Sequence, residues 1–360
     1  MASNYFAKGL KRSALTVALG LCFVGGVQAQ TNTAGAVTGR AASGDTITIT
    51  NPATGFSRTI TAGSDGSYRF SALPTGQYQL SRNGGAPRNV TVNVGGAANI
   101  AFVTSGGDAT TLDTVTVVGA GAINPIDVSS VESTTILTAE QIAKIPVARD
   151  TTAVALLAPG TVRGDSAFGN LASFGGSSVA ENQYYFNGFN ITNSFNNLAF
   201  AQIPFEAIAE QQTKTGGYGA EFGRSTGGVV NQISRRGTNE FMAGGNLFYT
   251  PGSLRENFPN QVLNDGTVAA DNSSDKFSDE LTAAVWAGGA LIKDRLFAYG
   301  LVQYTKLDDN LSLPGGNGNG TSDVNTQPKW LLKMDWNISD NHILEFTAIS
   351  DKREIETDYY

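Results

Sequence analysis

Apolar positions along this chain fall into two rhythms. Up to about residue 104 they form short alternating groups, Ile47 and Ile49, Phe56 and Ile60, Tyr68 and Phe70, Tyr78 and Leu80, then Val90, Val92 and Val94. Asn51-Pro52, Ser64-Asp65-Gly66 and Leu73-Pro74-Thr75-Gly76 punctuate them. Short strands at such spacing predict a β-sandwich over residues 30–104. Beyond Gly237 the runs lengthen, and strands are expected at about Asn239–Thr250, Asp279–Leu291, Arg295–Lys306, Lys329–Ile338 and His342–Asp351. The fourth is the clearest: Trp330, Leu332, Met334, Trp336 and Ile338 alternate with Lys329, Leu331, Lys333, Asp335 and Asn337. That is a lipid face against a mostly polar lumen face at period two. Tight turns at Ile292-Lys293-Asp294 and Ser339-Asp340-Asn341 alternate with long polar stretches at Pro251–Ser278 and Leu307–Pro328. Short turns on one side and long loops on the other are the pattern of an outer-membrane barrel. A soluble meander would use strands nearer five or six residues.

Between the two rhythms, residues 122–236 predict one mixed α/β domain. Thr138-Ala139-Glu140-Gln141 has the capping-box spacing and opens a helix that Pro146 ends. Asp150-Thr151-Thr152-Ala153 starts a second, closed by Ala158-Pro159-Gly160. Strands are expected at Gln183–Phe186 and Phe189–Thr192 around Asn187-Gly188, a turn in which both residues can take positive φ. From Gln211 to Phe241 the chain changes character. Gly216, Gly217, Gly219, Gly223, Gly227 and Gly228 let backbone segments approach, while Ala220, Phe222, Val229, Val230 and Ile233 supply short buried strands.

The N-terminus carries Lys8, Lys11 and Arg12 ahead of an apolar run from Ser13 to Gly26 and the small-residue ending Val27-Gln28-Ala29. This predicts a secretory signal peptide over 1–29, too short to span a membrane. The single cysteine, Cys22, lies inside it, so the mature chain is expected to hold neither a disulfide framework nor a cysteine-based metal site. The lone histidine, His342, is expected on a strand near the membrane interface. Only 15% of residues are charged and the formal charge is −7. An acidic chain without a Lys/Arg cluster lacks what phosphate binding requires, which excludes nucleic acid as a partner.

Two stretches resemble the plug domain of TonB-dependent outer-membrane receptors, in particular the Oar-like group: GYGAEFGRSTGGVVNQISRRGTNEF, and GGSSVAENQYYFNGFNIT upstream of it. ESTTILTAEQIAKIPVARDTTAVALLAPGTV resembles the front half of the same plug, and WAGGALIKDRLFAYG the second and third strands of Oar-like barrels. The resemblance implies a plug over 122–236, with Asn182, Tyr184, Tyr185, Asn187, Gly188, Glu221, Gly223, Arg224, Gly227 and Gly228 as its motif residues. The family often has Asp where Asn187 stands, so the turn is kept and a charge is lost. Arg163, Glu181, Glu206, Glu221 and Arg224 are expected on the plug surface toward the barrel wall, held by wet, polar contacts that a pull can shift. DGSYRFSALPTGQYQLS resembles the carboxypeptidase regulatory-like domain, in that family a structural accessory without protease chemistry.

Residues 105–121 read as a linker around Leu112, Asp113, Thr114, Val115, Thr116, Val117 and Val118. Alternating β-branched residues in a tether suit addition to another sheet; the other reading is a linker strand packed on a neighbour. LDTVTVVG resembles the TonB box, gripped by a periplasmic energy-coupling protein. The fold class is therefore mainly β: signal peptide, sandwich, mixed α/β plug, and the first five strands of an incomplete antiparallel barrel over 237–360. Five strands cannot close a barrel, and a lumen holding a plug needs about twenty-two, so a fragment of a longer receptor is expected. The implied function is energy-coupled import of a large or scarce solute, with no enzyme activity, cofactor or metal. The implied partners are the energy-coupling protein, outer-membrane lipid and an unknown extracellular ligand. The place is the outer membrane of a Gram-negative bacterium, with the N-terminal domain in the periplasm. An outer-membrane adhesin or secretion pore with a related barrel is the alternative. A secreted carbohydrate-active protein lacks a convincing pair of catalytic carboxylates.

Overall fold

The computed structural model describes residues 33–102, 132–254, 259–270, 279–312, 320–339 and 342–359. The signal peptide expected at 1–29 and the tether strand expected at 112–118 lie outside them.

The first seven strands are β1 (Ala34–Arg40), β2 (Thr46–Thr50), β3 (Ser57–Thr61), β4 (Ser67–Pro74), β5 (Gly76–Arg82), β6 (Arg88–Val92) and β7 (Ala97–Asn99). They form two sheets, ordered β4-β1-β7 and β3-β2-β5-β6, with β1 and β7 parallel. The alternating residues of the sequence close a single core between them: Val37, Ile47, Ile49, Phe56, Tyr68, Phe70, Leu73, Tyr78, Leu80, Val90 and Val92 are all buried. Tyr78 reaches back to donate its hydroxyl to the Pro74 carbonyl at 2.8 Å, so a large ring is buried without an orphaned polar tip.

The middle region holds β8 (Ser133–Thr138), α1 (Ala139–Lys144), α2 (Thr151–Ala155), β9 (Thr161–Arg163), β10 (Ala172–Phe174), β11 (Gln183–Phe186), β12 (Phe189–Asn190), β13 (Ile208–Gly216) and β14 (Val229–Ser234). The capping box forms as its spacing dictates. Gln141 N–H donates to Thr138 Oγ1 at 3.4 Å, and Thr138 N–H to Gln141 Oε1 at 2.9 Å. A five-stranded sheet runs β12-β11-β14-β13-β8, with β11 parallel to β14 and the other pairs antiparallel. Asn187 and Gly188 both take positive φ, 46° and 79°, and so turn β11 into β12. β12 stops at Asn190, two residues short of expectation, because the Asn190 carboxamide oxygen takes the Thr192 N–H in a local turn.

The third body is an antiparallel sheet of β15 (Met242–Thr250), β18 (Asp279–Ile292), β19 (Leu296–Ser312), β20 (Gly320–Ser339) and β21 (His342–Asp351) in that order, with β22 (Glu354–Tyr359) folding back onto β20. A separate small hairpin pairs β16 (Gln261–Val262) with β17 (Val268–Ala270). β19 and β20 extend well into the stretch expected as an outer loop, pairing from Leu307↔Asn325 to Ser312↔Gly320. A hairpin satisfies its own backbone donors and acceptors whatever its side chains, so polar residues continue the ladder. β15 begins at Met242 rather than Asn239, because the Asn239 N–H is committed to the Ala53 carbonyl at 2.7 Å.

Side chains alternate across this sheet as expected of a membrane wall. Trp330, Leu332, Trp336 and Ile338 of β20 are exposed, as are Val302 of β19 and Leu344 and Phe346 of β21. Their cross-strand partners align them into one band, Val302↔Trp330 and Met334↔Phe346 and Trp336↔Leu344. The opposite face buries Leu331, Lys333 and Asp335 of β20 with Phe297, Tyr299 and Leu301 of β19. A continuous exposed apolar band opposite buried lysines is the inverse of a soluble sheet, and fits lipid outside and protein inside. Leu332→Arg in the full-length protein should lower its stability in lipid vesicles by up to about 2–4 kcal/mol. Equal unfolding midpoints for the two proteins would remove the lipid-facing assignment.

Candidate functional site

Most of the motif residues of the middle domain lie along β14 and its parallel partner β11. Asn182 is fully buried; its side chain donates to the Ala172 carbonyl at 2.6 Å and accepts the Gly228 N–H at 3.0 Å. The glycine pair is enforced by this neighbour and one other. A Cβ on Gly227 would sit 2.6 Å from Asn182 Oδ1, and one on Gly228 would overlap the Phe174 ring. Tyr184 stacks on Phe200 with ring centroids 4.0 Å apart, and Tyr185 meets Phe222 edge-on at 5.3 Å. Burial pushes the Tyr184 phenol up to about 12, so it stays neutral.

Asn187 does more than make a turn. Its carboxamide donates to Ser234 Oγ at 2.8 Å and to Thr347 Oγ1 of β21 at 3.0 Å, and accepts the Ser234 N–H at 2.9 Å. An amide can give and take in this way, whereas a carboxylate can only accept. Glu221, Gly223 and Arg224 are exposed, away from that centre, and Arg224 holds φ at 69°.

Of the five charges expected toward the wall, Glu206 is buried against it, while Arg163, Glu181, Glu221 and Arg224 are exposed. Glu206 pairs with Arg149 and accepts from the Asn246 carboxamide of β15, and its carbonyl accepts the Tyr299 hydroxyl of β19 at 3.1 Å. Arg149 lies between two rings, 4.7 Å from Phe205 of the middle domain and 4.6 Å from Phe248 of the wall. Gln202 N–H donates to the Asp351 carboxylate at 2.6 Å. The contact is not purely polar, which corrects the expectation of a wet interface alone. Phe186, Ile203, Ala207 and Ile208 pack with Tyr299, Leu301 and Leu331 of the wall into one apolar cluster. β8 pairs with β13 alone, and its residues are half-buried or exposed.

Sequence reasoning missed Arg149, Asn246 and Tyr299, whose contacts with Glu206 are 57, 40 and 93 residues away along the chain. It also missed a polar network inside the sheet, in which Gln232 donates to Gln211 Oε1 and Thr151 Oγ1, both at 3.0 Å, and Gln211 donates to the Thr151 carbonyl at 2.9 Å. The consecutive polar residues of β13, Glu210 to Lys214, were the available signal: a strand polar on both faces, yet flanked by apolar segments, calls for enclosed partners. Among the described residues no group of histidine, cysteine or carboxylate side chains could hold a metal ion. His342 opens β21 with its Nδ1 2.9 Å from Ser339 Oγ.

Two expectations follow. Gly228→Ala should cost about 1–3 kcal/mol through its clash with Phe174, whereas Gly223→Ala, whose Cβ would meet the Ala220 carbonyl at an ordinary 3.6 Å, should be nearly neutral. Equal thermal shifts would contradict the packing. The second concerns Glu210, where burial, partly opposed by the Val94 N–H, pushes the carboxyl up to about 7. A group raised in the folded state contributes stability that is complete below its unfolded value, about 4.5, and is lost as pH rises through about 7. Unfolding should therefore become easier between pH 5 and pH 8 by roughly 2–3 kcal/mol, and Glu210→Gln should flatten that difference. An identical pH profile in the variant would show that Glu210 does not titrate there.

Parts of the chain are similar to known proteins. Residues 126–230 match the family model described as the TonB-dependent Receptor Plug Domain. The TonB-dependent transporter Oar of Myxococcus xanthus is 29% identical over 315 residues, covering 81% of this chain and 28% of that protein. The chain thus spans little more than a quarter of that relative's length. Two solved structures align with lower identity. The outer membrane transporter YddB of Escherichia coli is 17% identical with a TM-score of 0.48, over 61% of this chain and 33% of that one. The siderophore receptor PirA of Acinetobacter baumannii is 21% identical with a TM-score of 0.46, over 63% and 32%. At those scores the structural likeness carries no argument about function. The matched segment spans the middle domain from before β8 to the first residues of β14, and the sheet against its face lies outside that match.

Proposed function

We propose that the complete protein is an energy-coupled importer of the Gram-negative outer membrane, not an enzyme, and that this chain is its N-terminal part. The observation that carries the reading is the plug–wall interface: a folded α/β domain lies against the buried face of a sheet whose other face is apolar and exposed. A pore or adhesin that works without energy has no use for a domain in that position. Residues 1–29 act as the signal peptide, and residues 30–104 form a carboxypeptidase regulatory-like sandwich in the periplasm. Its position beside the tight turns of the wall supports that side as periplasmic.

The membrane has no nucleotide supply, so work has to arrive through a partner. Leu112 to Val118 provide the segment that a TonB-type protein grips by strand addition. The tether leads into β8, an edge strand of the plug sheet, so a pull is delivered at that edge. At the other end, Phe189 and Phe195 are exposed, and no charged residue occurs between Asn182 and Phe205. That surface suits an uncharged, partly apolar cargo better than a polyanion.

Deleting Leu112 to Val118 from the full-length protein should abolish uptake of its cargo while leaving binding at the cell surface intact. Unchanged uptake with intact binding would refute the coupling role.

A further inference from the structure

The sandwich is not a bystander on a string, because it touches both of the bodies that transport would have to separate. On the plug side, the turn between β6 and β7 lies on β13. The Val94 N–H donates to Glu210 Oε1 at 3.2 Å, and the Gln212 carboxamide donates to the Val94 carbonyl at 3.0 Å. Val94, Glu210 and Gln212 are all buried. The fit is close, since a Cβ added to Gly95 would lie 3.4 Å from Gln212 Nε2 and 3.9 Å from Lys214 Nζ. Lys214 itself pairs with Glu132, the residue at which the tether enters the plug.

On the wall side, the turn between β2 and β3 lies against the short-turn end of the sheet. Ala53 accepts the Asn239 N–H, Gly55 abuts Asp294, and Ile343 of β21 packs on the sandwich core. Asn51, Phe56 and Tyr78 close a cavity of about 20 Å³ over Arg236, Phe297 and Asp335. That volume is about right for one water. Beneath it lies an ionic cluster in which Glu345 binds Arg236 at 3.2 Å and Lys333 at 2.8 Å, and Lys333 stands 3.1 Å from Asp335. Arg236 Nε and Asp335 Oδ2 are buried without a hydrogen-bond partner, and Asp335 Oδ1 has the Lys333 ammonium at 3.1 Å. Groups in that condition are costly unless a water reaches them, and the cavity under the sandwich is where one fits.

A body bound to both sides of an interface resists sliding between them, because any relative displacement must break one set of its contacts. We propose that the N-terminal sandwich staples the plug to the wall, through Val94 on β13 and Ala53 with Tyr78 at Asn239 and Arg236, and that the plug cannot shift until the sandwich lets go. The inference rests on the reading that the plug moves during transport. It assigns the sandwich an interaction surface whose partner is the remainder of its own chain.

The test needs neither cargo nor coupling protein. The Asn239–Ala53 backbone contact brings the two positions within bridging reach, so Ala53→Cys with Asn239→Cys can lock the wall end of the staple in the full-length protein. Hydrogen exchange is then read at residues 133–138 and 208–216, with residues 296–305 of the wall as the reference. Oxidation should slow exchange in the two plug strands at least tenfold, and reductant should restore it. In a background of Glu210→Ala with Gln212→Ala, which frees the plug end, the bridge should change nothing. Removing residues 33–102 should speed plug exchange while the reference strands keep theirs. Plug exchange that is the same with the bridge closed or open, in a protein whose bridge is shown to form, would overturn the staple. Since uptake is not measured, that result leaves the tether-deletion experiment free to support or refute transport by itself.

Discussion

The arrangement depends on one buried contact between plug and wall. Glu206, in the turn just before β13, binds Arg149 from its own domain and Asn246 from β15, while its carbonyl holds the Tyr299 hydroxyl. Burying a carboxylate costs several kcal/mol, which a pair with a guanidinium and further hydrogen bonds offsets without a large surplus. Such a node fixes where the plug sits more than how tightly it is held. The apolar cluster around Phe186, Ile208 and Leu301 adds adhesion on the same face. Neither contact touches β8, so the domain is anchored on one flank of its sheet and loosely edged on the other.

The period-two alternation of the wall makes that node possible. A one-residue slip of β20 would send Lys333 and Asp335 to the lipid and Trp336 to the plug. Register is therefore specified twice, by lipid on one face and by buried ion pairs on the other. Tyr299 and Leu301 alternate with Ala298 and Gly300 for the same reason: the large residues face the plug, and the small ones leave room on the outer face opposite Met334 and Leu332.

Much of this was legible in the sequence, because strand alternation, caps and turns are local. The capping box at Thr138, the Asn187-Gly188 turn and the lipid face of β20 are each written within a dozen residues. What was not legible depends on distance along the chain. Nothing near Asn239 says that its N–H belongs to Ala53, and nothing near Gln212 says that it binds Val94. The polar stretch 307–328 resembled a loop because side-chain patterns cannot report a ladder that the backbone makes by itself. Asn187 was read as a turn residue that lacked a charge. Its value as both donor and acceptor appears only once Ser234 and Thr347 stand beside it.

The central claim is that plug and wall are separate cooperative units joined by a fixing contact. Chemical unfolding of the full-length protein in lipid, followed by hydrogen exchange strand by strand, tests it most directly. The account predicts that β8 and then β13 open at lower denaturant than β19 and β20, with distinct free energies for the two bodies. A single shared opening energy for all four strands would contradict it.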